Sequence, residues 1–449
     1  MSGVRRNAAL SEPGAGGEEN TDEVVELCRD LIRIDTTNSG DGAGPGERMA
    51  AEYVAAKLAE AGVHGRILES APGRANVVAR LPGTDRSRPA LLLHGHLDTV
   101  PALRHEWSVD PFSGEVRDGC LWGRGAVDMK NMIAMILAAV RAMARAKTLP
   151  PRDIVLAFLA DEEAGCELGS RWLAREHRDL IADCDQAVSE VGGFSVTLDP
   201  ATRVYLVETG RKGVAWLRLR ARGTQGHGSL THRRTAVGEL AAAVARIAEH
   251  EWPVRLTSTS ARTVADLSAP TGVDLAAERP RLDDTALAPV AGLLTSSLRH
   301  VANPTVLRAG EAVNVVPGQA EALVDGRFVP GYAEEFLAEI GRLAGPAVEI
   351  EILDLTPADE ADPHHALVGS MHRSLRDEDP AAHLVPYCSS ASTDNASFAP
   401  LGIAGYGFAP LRLPPGFDFA AMFHGVDERV PLESLTFGAR VLHRFLRRC

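Results

Sequence analysis

In the first half of the chain, segments with apolar residues at helical spacing alternate with short, continuous apolar runs. Helical spacing occurs at residues 21–34, 47–62 and 129–147, and short continuous apolar runs occur at 76–81, 90–94 and 154–160. Continuous apolar runs between helices are typical of strands that are buried on both faces. The pattern therefore predicts an α/β fold with a mixed, largely parallel sheet flanked by helices.

The spacing changes near residue 210. Residues 214–222 alternate between two sides, with Ala and Leu on one and Trp and Arg on the other, which indicates a strand with one face in water. The segments that follow complete a β-α-β-β-α-β order: a helix at 235–250, strands at 305–307 and 320–328, a helix at 333–344 and a strand at 348–353. This order predicts a small α+β, ferredoxin-like unit inserted into the larger one.

These changes of pattern divide the chain into segments. Residues 1–20, rich in Gly and Glu, predict a disordered leader. The larger unit takes residues 21–209 and 358–449, ending in a helix at 432–446, and the inserted unit takes residues 210–357. A chain of 449 residues suits two or three domains.

Composition narrows the classes of partner. The formal net charge is −13, and no long basic stripe is present, so neither nucleic acid nor an anionic membrane is an expected partner. The first residues lack the apolar segment of a signal peptide, and no run of eighteen apolar residues follows, which predicts a cytoplasmic protein. The six cysteines are scattered without a CxxC pair, so metal ligands would have to be His, Asp or Glu.

Acidic and imidazole side chains follow several of the predicted strands. His96 and Asp98 come just after the run at 90–94, and Asp98 could fix the tautomer of His96 for metal binding. A polar loop with a hydrogen-bonded histidine is the plainer interpretation, and His94 on the same face is an alternative ligand. Asp128 follows two glycines and could bridge two cations, although a helix N-cap is the simpler role for it alone.

Three consecutive acids at 161–163 come directly after a predicted buried strand. If a metal is present, Glu163 could be a ligand and Glu162 the base for a water molecule, whereas a solvated acidic loop is the alternative. Glu190 also follows a short apolar run, and His424 lies just before the last predicted helix. Neither of these two residues is informative when taken alone.

Taken together, the motifs resemble those of the co-catalytic zinc hydrolases that include acetylornithine deacetylase, succinyl-diaminopimelate desuccinylase, aminoacylase-1 and carboxypeptidase G. Five motifs occur in the family's order across nearly the whole chain: GHLDTVP at 95–101, GRGAVDMK at 123–130, DEEAGCELGS at 161–170, SEVGG at 189–193 and HGVDERVP at 424–431. The resemblance implies a catalytic domain in the two outer segments and a lid and dimerisation domain in the inserted one.

The resemblance also implies a role for each matching residue. Asp128 would bridge two zinc ions, with His96 and Glu190 completing one site and Glu163 and His424 the other. Asp98 would orient His96, and Glu162 would be general base and then acid. Cobalt or manganese could replace zinc at such nitrogen and oxygen ligands. A cis peptide between Asp128 and Met129 is also implied.

Three further residues in the inserted segment match the family. His227 would reach the active site of the partner in a homodimer and stabilise the oxyanion, and Asn314 and Arg327 would contact substrate. A surface histidine and an ion-paired arginine on a strand face are the structural alternatives. Residues 389–395 depart from the glycine-led substrate loop of many relatives, so the resemblance assigns them no substrate contacts.

The sequence thus predicts a metal-dependent hydrolase that cleaves an amide or peptide bond next to a substrate carboxylate. An N-acyl amino acid deacylase and a carboxypeptidase both fit this description. An aminopeptidase with the same site architecture is the main alternative, and the glutamate at position 190 weighs against it because the resemblance links Glu there with deacylases and carboxypeptidases. A non-catalytic binding protein is a further alternative, which the intact ligand set disfavours.

Overall fold

The structure is a computed structural model that describes residues 19–449. The predicted disordered leader lies outside the described residues up to position 18, and its last two residues belong to the first helix. Within the described range, no helix combines the length and apolar character needed to cross a membrane.

Eleven α-helices lie in the described part of the chain, and most of the predicted ones occur within a few residues of their expected bounds. They are α1 Glu19–Arg33, α2 Arg48–Ala59, α3 Lys130–Arg145, α4 Ser170–Glu176, α5 Ala236–Ala248, α6 Ser258–Thr271, α7 Ala291–Ser297, α8 Ala333–Ala344, α9 Ala366–Glu378, α10 Asn395–Phe398 and α11 Leu432–Leu446.

The strands of the described residues form two main sheets and two small ones. They are β1 Gly65–Ala71, β2 Arg74–Leu81, β3 Ala90–His96, β4 Glu115–Arg117, β5 Cys120–Trp122, β6 Ile154–Leu159, β7 Cys184–Ser189, β8 Phe194–Asp199, β9 Thr202–Arg211, β10 Gly213–Arg222, β11 Gly226–His227, β12 Val301–Ala309, β13 Val315–Val316, β14 Gln319–Phe328, β15 Val348–Thr356, β16 Asp359–Glu360, β17 Ala382–Ser389, β18 Ala404–Gly407 and β19 Arg429–Pro431.

The large sheet is mixed, as the apolar runs predicted. Its order is β1-β2-β6-β3-β7-β18-β9-β16, and β17 and β8 also pair with β9. Strand β3 is parallel to both of its neighbours, β6 and β7, and every residue of β3 and β6 is buried. Because parallel strands end at the same edge, the residues that follow β3, β6 and β7 are brought together there.

Helix α3 forms the centre of the layer on one face of this sheet. Twelve of its residues are buried, and helices α1 and α11 pack against it. Even Lys130 is buried, and its ammonium group donates a hydrogen bond of 2.7 Å to the carbonyl oxygen of Ile34. This packing fixes the start of α3, which begins two residues after Asp128.

The small sheet has the antiparallel order β12-β14-β10-β15. The predicted alternation of β10 is confirmed, since Ala215, Leu217, Leu219 and Ala221 are buried and Trp216 on the other face is half exposed. Helices α5 and α8 cover the buried face. The fold is therefore the predicted combination of a large mixed sheet and a smaller α+β unit.

The interval between α5 and β12 differs from the predicted β-α-β-β-α-β order, which placed no helix between residues 250 and 305. It contains α6 and α7, and both helices pack against β17 of the large sheet. Leu267, Leu294 and Leu298 from this interval are buried in the core of the large unit. The chain therefore returns to the large unit between two elements of the small sheet.

Candidate metal centre

The first of two groups of possible metal ligands lies at the carboxyl edge of the parallel strands. His96 is the last residue of β3, Glu190 directly follows β7, and Asp128 directly precedes Met129 at the start of α3. The His96 Nε2 atom lies 3.1 Å from Asp128 Oδ1 and 3.6 Å from Glu190 Oε2. All three residues are buried, so these donors face each other away from bulk water.

The second group contains Asp128 again, together with Glu163 and His424. The His424 Nε2 atom lies 3.3 Å from Asp128 Oδ2 and 3.1 Å from Glu163 Oε2. The side chain of His424 is 55% exposed, whereas that of Glu163 is only 5% exposed. Asp128 thus presents one carboxylate oxygen to each imidazole, and this side of the centre opens to solvent.

The loop that carries Asp128 is held by a residue that the sequence interpretation missed. Glu428 is completely buried, and its carboxylate accepts hydrogen bonds from the backbone N–H groups of Gly125 at 3.1 Å, Val127 at 2.7 Å and Asp128 at 3.2 Å. It also pairs with Arg124 at 2.7 Å. Glu428 therefore ties the loop of Asp128 to the segment that carries His424.

Local backbone geometry shapes this loop. Gly125 has a φ of 88°, a left-handed conformation that favours glycine, and the implied cis peptide between Asp128 and Met129 is present. Met129 rather than Asp128 is the N-cap residue of α3, and no side chain caps this helix. The simpler role of Asp128 as a helix cap is therefore wrong.

Asp98 holds the turn that follows β6, which spans residues 161–168 and is called the acidic turn. Its carboxylate accepts hydrogen bonds from the backbone N–H groups of Glu162 at 3.1 Å and Glu163 at 3.2 Å. The His96 Nδ1 atom lies 3.0 Å from the carbonyl oxygen of Asp98 and 3.4 Å from its Oδ1 atom. Asp98 thus contacts both His96 and the turn that carries Glu162 and Glu163.

Burial raises the pKa of three carboxyl groups at this edge. The pKa of Glu190 rises to about 8, and the pKa of Glu162 rises well above its ordinary value. The pKa of Glu163 rises as well, because burial is reinforced by the negative charge of Asp128. Several carboxylates that repel one another are therefore held close together.

The imidazoles respond to the same charges. Hydrogen bonds with Asp128 and Glu163 raise the pKa of His424 to about 10. Burial alone would lower the pKa of His96, but Glu190 and Asp128 raise it well above its ordinary value. The two imidazoles lower the pKa of Asp128 against the effect of its burial. Protons or cations must therefore offset the negative charge of this centre.

The donor sets fit divalent metal ions. Within each group, one ligand atom from every residue lies within 4.8 Å of the others. Two ligands at zinc distances in a tetrahedral site are about 3.4 Å apart, close to the 3.1 to 3.6 Å separations observed. The buried Oε1 atom of Glu163 also lacks a hydrogen-bond partner among the described residues. Zinc accepts this mixture of imidazole and carboxylate donors.

His94 belongs to neither group. Its Nε2 atom lies 2.8 Å from Asn395 Oδ1, and its ring packs edge-on against Phe398. Burial lowers the pKa of His94 to about 4, so it is neutral near pH 7. Asn395 ends the divergent segment 389–395, which therefore contacts the strand that carries His96.

The matching residues of the small unit have described hydrogen bonds only with neighbours in that unit. His227 is exposed, and its Nδ1 atom accepts hydrogen bonds from the backbone N–H and hydroxyl groups of Ser229, at 3.2 and 2.8 Å. Asn314 is exposed, and its backbone carbonyl oxygen accepts a hydrogen bond from the backbone N–H of Gly228. Arg327 pairs in two places with Asp325 on its own strand, at 2.7 and 3.0 Å.

Histidines and carboxylates at the carboxyl edge of an α/β sheet are the donors with which metal-dependent hydrolases hold their ions. Comparison with known proteins gives the same class. The model of the family described as Peptidase family M20/M25/M40 matches residues 92–448, and the chain belongs to this family. It is a metal-dependent hydrolase of amide or peptide bonds, and the recognition made from its motifs is confirmed.

Among curated proteins, the chain is similar to aminoacylase-1 of Sus scrofa, with 28% identity over 92% of each chain. It is also 28% identical to the human N-fatty-acyl-amino acid synthase/hydrolase PM20D1, over 79% of this chain and 73% of that protein.

Solved structures share the fold. The M20 family metallo-carboxypeptidase Sso-CP2 from Sulfolobus solfataricus has a TM-score of 0.71 and 19% identity, covering 95% of this chain and 99% of that one. The dinuclear metal-binding peptidase YXEP of the M20 family from Bacillus subtilis has a TM-score of 0.57 and 14% identity, covering 96% and 98%.

Proposed function

We propose that this protein is a dinuclear zinc amidohydrolase that removes the acyl group from N-acyl amino acids. The observation that carries the proposal is the carboxylate of Asp128, whose two oxygens face His96 and His424 separately. His96, Asp128 and Glu190 would hold one ion, and Asp128, Glu163 and His424 the other. Cobalt or manganese could serve at the same donors.

Zinc bound there would polarise the scissile carbonyl and lower the pKa of a water molecule. Glu162 is the residue proposed to take the proton from this water and to deliver it to the leaving amine. It lies beside Glu163 and within the electrostatic influence of His96 and Glu190, yet it belongs to neither donor group. The hydrogen bond from its backbone N–H to Asp98 holds it in position.

His227 is proposed to donate a hydrogen bond to the oxyanion. Because its Nδ1 atom accepts from the backbone N–H of Ser229, the neutral ring carries its proton on Nε2 and can donate from there. His227 is exposed in its own chain, which supports a role in the active site of a partner subunit. A homodimer is therefore part of the proposal. The cytoplasmic location stays a prediction from the sequence.

Arg327 and Asn314 are proposed to contact the carboxylate end of the substrate. The guanidinium group of Arg327 has the planar geometry that binds a carboxylate through two hydrogen bonds, and it already binds Asp325 in this way. A substrate carboxylate would have to compete with Asp325 or share the guanidinium with it.

The choice of N-acyl amino acids over peptides comes from the curated relatives. Aminoacylase-1 and the N-fatty-acyl-amino acid synthase/hydrolase are named for acylated amino acids, and both align with most of this chain. A carboxypeptidase would use the same centre and the same recognition of a carboxylate. Substrate comparison is therefore the direct test.

Zinc-loaded protein should hydrolyse N-acetyl, N-succinyl or longer N-acyl amino acids faster than dipeptides with a free amine, measured as the release of free amino acid. Faster cleavage of blocked peptides at their carboxyl end would indicate a carboxypeptidase. Preference for dipeptides with a free amine would indicate an aminopeptidase and refute the proposal.

The role of Glu162 as the base is tested by Glu162→Gln, which keeps the size of the side chain and removes its basicity. Turnover should fall about 100- to 10,000-fold, the usual contribution of a general base. Zinc content measured by atomic emission should stay at two ions per chain, because Glu162 is in neither donor group. Near-normal turnover of this variant would show that Glu162 is not the base.

A further inference from the structure

Asn38 lies beside Asp98, in a segment that pairs with the residues just after β3. Its backbone N–H donates a hydrogen bond of 2.9 Å to the carbonyl oxygen of Thr99, and the hydroxyl group of Thr36 donates one of 2.7 Å to Leu97. The residue is only 5% exposed. Asn38 is thus fixed next to Asp98 and away from solvent.

The side-chain amide of Asn38 joins two carboxylates. Its Nδ2 atom donates hydrogen bonds to Asp98 Oδ2 at 2.9 Å and to Asp161 Oδ1 at 3.0 Å. Its Oδ1 atom accepts a hydrogen bond of 3.1 Å from the backbone N–H of Gly40. The acceptors around the NH₂ group and the donor beside the oxygen fix the orientation of the amide.

These two carboxylates hold opposite parts of the acidic turn. Asp98 accepts from the N–H groups of Glu162 and Glu163, at the start of the turn. Asp161 accepts through its other oxygen from the N–H group of Leu168 at 3.0 Å, at the end of the turn. The position of the turn therefore depends on how Asp98 and Asp161 are held relative to each other.

Two buried carboxylates this close together repel each other unless donors separate them. Arg74 offsets part of the charge, since its guanidinium group lies 3.0 Å from Asp161 Oδ1. Among the described residues, Asn38 alone has hydrogen bonds to both carboxylates. Its amide group donates one hydrogen to each of them and adds no charge. An aspartate at position 38 would instead place a carboxylate oxygen against the oxygens of Asp98 and Asp161.

We propose that Asn38 is a positioning residue that sets the placement of both Glu162 and Glu163 through Asp98 and Asp161. This inference rests on the proposed function, which makes Glu162 the base and Glu163 a metal ligand. Asn38 contacts neither donor group directly, so it would affect turnover and zinc affinity through the turn and leave substrate recognition unchanged.

The test compares Asn38→Asp with wild-type protein in zinc affinity, turnover and melting temperature. Zinc affinity of the metal-free protein, measured by calorimetric titration, should fall about 10- to 100-fold, as is usual when the partners behind metal ligands are removed. The kcat of the zinc-saturated enzyme should fall by a similar factor, with KM within about twofold. Asn38→Ala, which removes both hydrogen bonds without adding charge, is measured in parallel.

Thr263→Val is the matched control because Thr263 has a buried hydrogen bond that lies outside the metal centre and outside the turn of Glu162. Its hydroxyl group donates a hydrogen bond of 2.6 Å to the carbonyl oxygen of Pro386. Thr263 is buried, so the substitution removes a buried hydrogen bond as the Asn38 variants do. This variant should lose thermal stability while keeping zinc affinity and kcat within about threefold of wild type.

Two results would overturn the inference: zinc affinity and kcat within threefold of wild type in both Asn38 variants, or losses of zinc affinity and kcat in Thr263→Val as large as those in the Asn38 variants. Failure of the proposed function is read separately. It would show as a wild-type protein that does not bind two zinc ions, or as an active Glu162→Gln variant.

Discussion

At the scale of single residues, the loops that carry the candidate metal ligands are held by carboxylates that accept hydrogen bonds from backbone N–H groups. Asp98 holds the turn of Glu162, and Glu428 holds the loop of Asp128. A carboxylate that accepts hydrogen bonds from several N–H groups fixes a loop more firmly than apolar packing does, because each hydrogen bond has a preferred direction. The positions of the candidate metal ligands thus depend on residues outside the two donor groups.

Replacing Glu428 by Gln should therefore destabilise the protein and weaken metal binding. The amide would turn a donor toward N–H groups and leave the buried Arg124 without its charged partner. Loss of one member of a buried ion pair costs about 3–5 kcal/mol, which denaturant unfolding of the metal-free protein would measure. Zinc affinity should fall about 10- to 100-fold.

Glu433→Gln is the control for that measurement, because Glu433 is exposed at the start of α11. A surface substitution of this kind changes the free energy of unfolding by about 0.5 kcal/mol or less. Equal unfolding free energies for the two variants would contradict the role given to Glu428.

The sequence identified the residues of the two donor groups better than their supports. His96, Asp128 and His424 stand in motifs whose order along the chain could be recognised. Glu428 lies within the HGVDERVP motif, so its presence there was a usable signal, but its N–H partners are about 300 residues away along the chain. Asn38 had no such signal, because its role arises from two carboxylates that only the tertiary structure brings together.

At the scale of elements, helix α6 shows where hydrophobic spacing fails. Its buried face includes Thr259, Ser260 and Thr263, so no apolar stripe marks it. The hydroxyl groups are paired: Thr259 with Thr209 at 2.8 Å and Thr263 with the carbonyl oxygen of Pro386 at 2.6 Å. Hydrogen bonds to the large sheet thus take the place of apolar packing. The capping box of Thr257 and Ser260 was the available sequence signal.

Thr263→Val tests this account of α6. The substitution keeps the shape of the side chain but leaves the buried carbonyl oxygen of Pro386 without its donor. The free energy of unfolding should fall by about 1–3 kcal/mol, the cost of one buried unsatisfied group. Thr436→Val is the control, because the hydroxyl group of Thr436 bonds only to Glu433 within its own helix. A loss in Thr263→Val no greater than in this control would contradict the account.

Strand elements were predicted more faithfully than α6, for a physical reason. In β6 and in residues 90–93 of β3, burial on both faces demands apolar residues at every position, and in β10 burial on one face demands alternation. These requirements are visible in the sequence itself. The pairing partners of β9, which lies beside β8, β17 and β18, depend on tertiary contacts and leave no such mark.

At the scale of the whole molecule, metal binding should be linked to pH. The pKa of His424 is raised to about 10 and that of His96 lies well above its ordinary value, so both imidazoles are protonated at neutral pH in the metal-free protein. Zinc binds imidazole only after this proton has left. Binding must therefore release protons, and zinc affinity should rise as the pH rises from about 6 to 8.

Calorimetric titration with zinc in two buffers of different ionisation enthalpy would count these protons. At least one proton should be released per chain at pH 7. The Glu162→Gln variant is the control. It removes one titratable carboxyl group but no ligand, so protons released from Glu162 itself are absent from its proton count. Zinc affinity that stays constant or falls with rising pH would contradict the protonation states assigned to the imidazoles.

The return of α6 and α7 to the large unit restricts how the two sheets can move relative to each other. The chain crosses between them four times: at 211–213, 248–258, 297–301 and 356–359. Two of these crossings lie side by side, since Asp359 pairs with Arg211 and Thr356 with Val214. A rotation of the small sheet must keep all four connections intact. The axis of such a rotation is therefore confined to the neighbourhood of the crossings. The far end of the small sheet, near Arg222 and Gln319, would move the farthest.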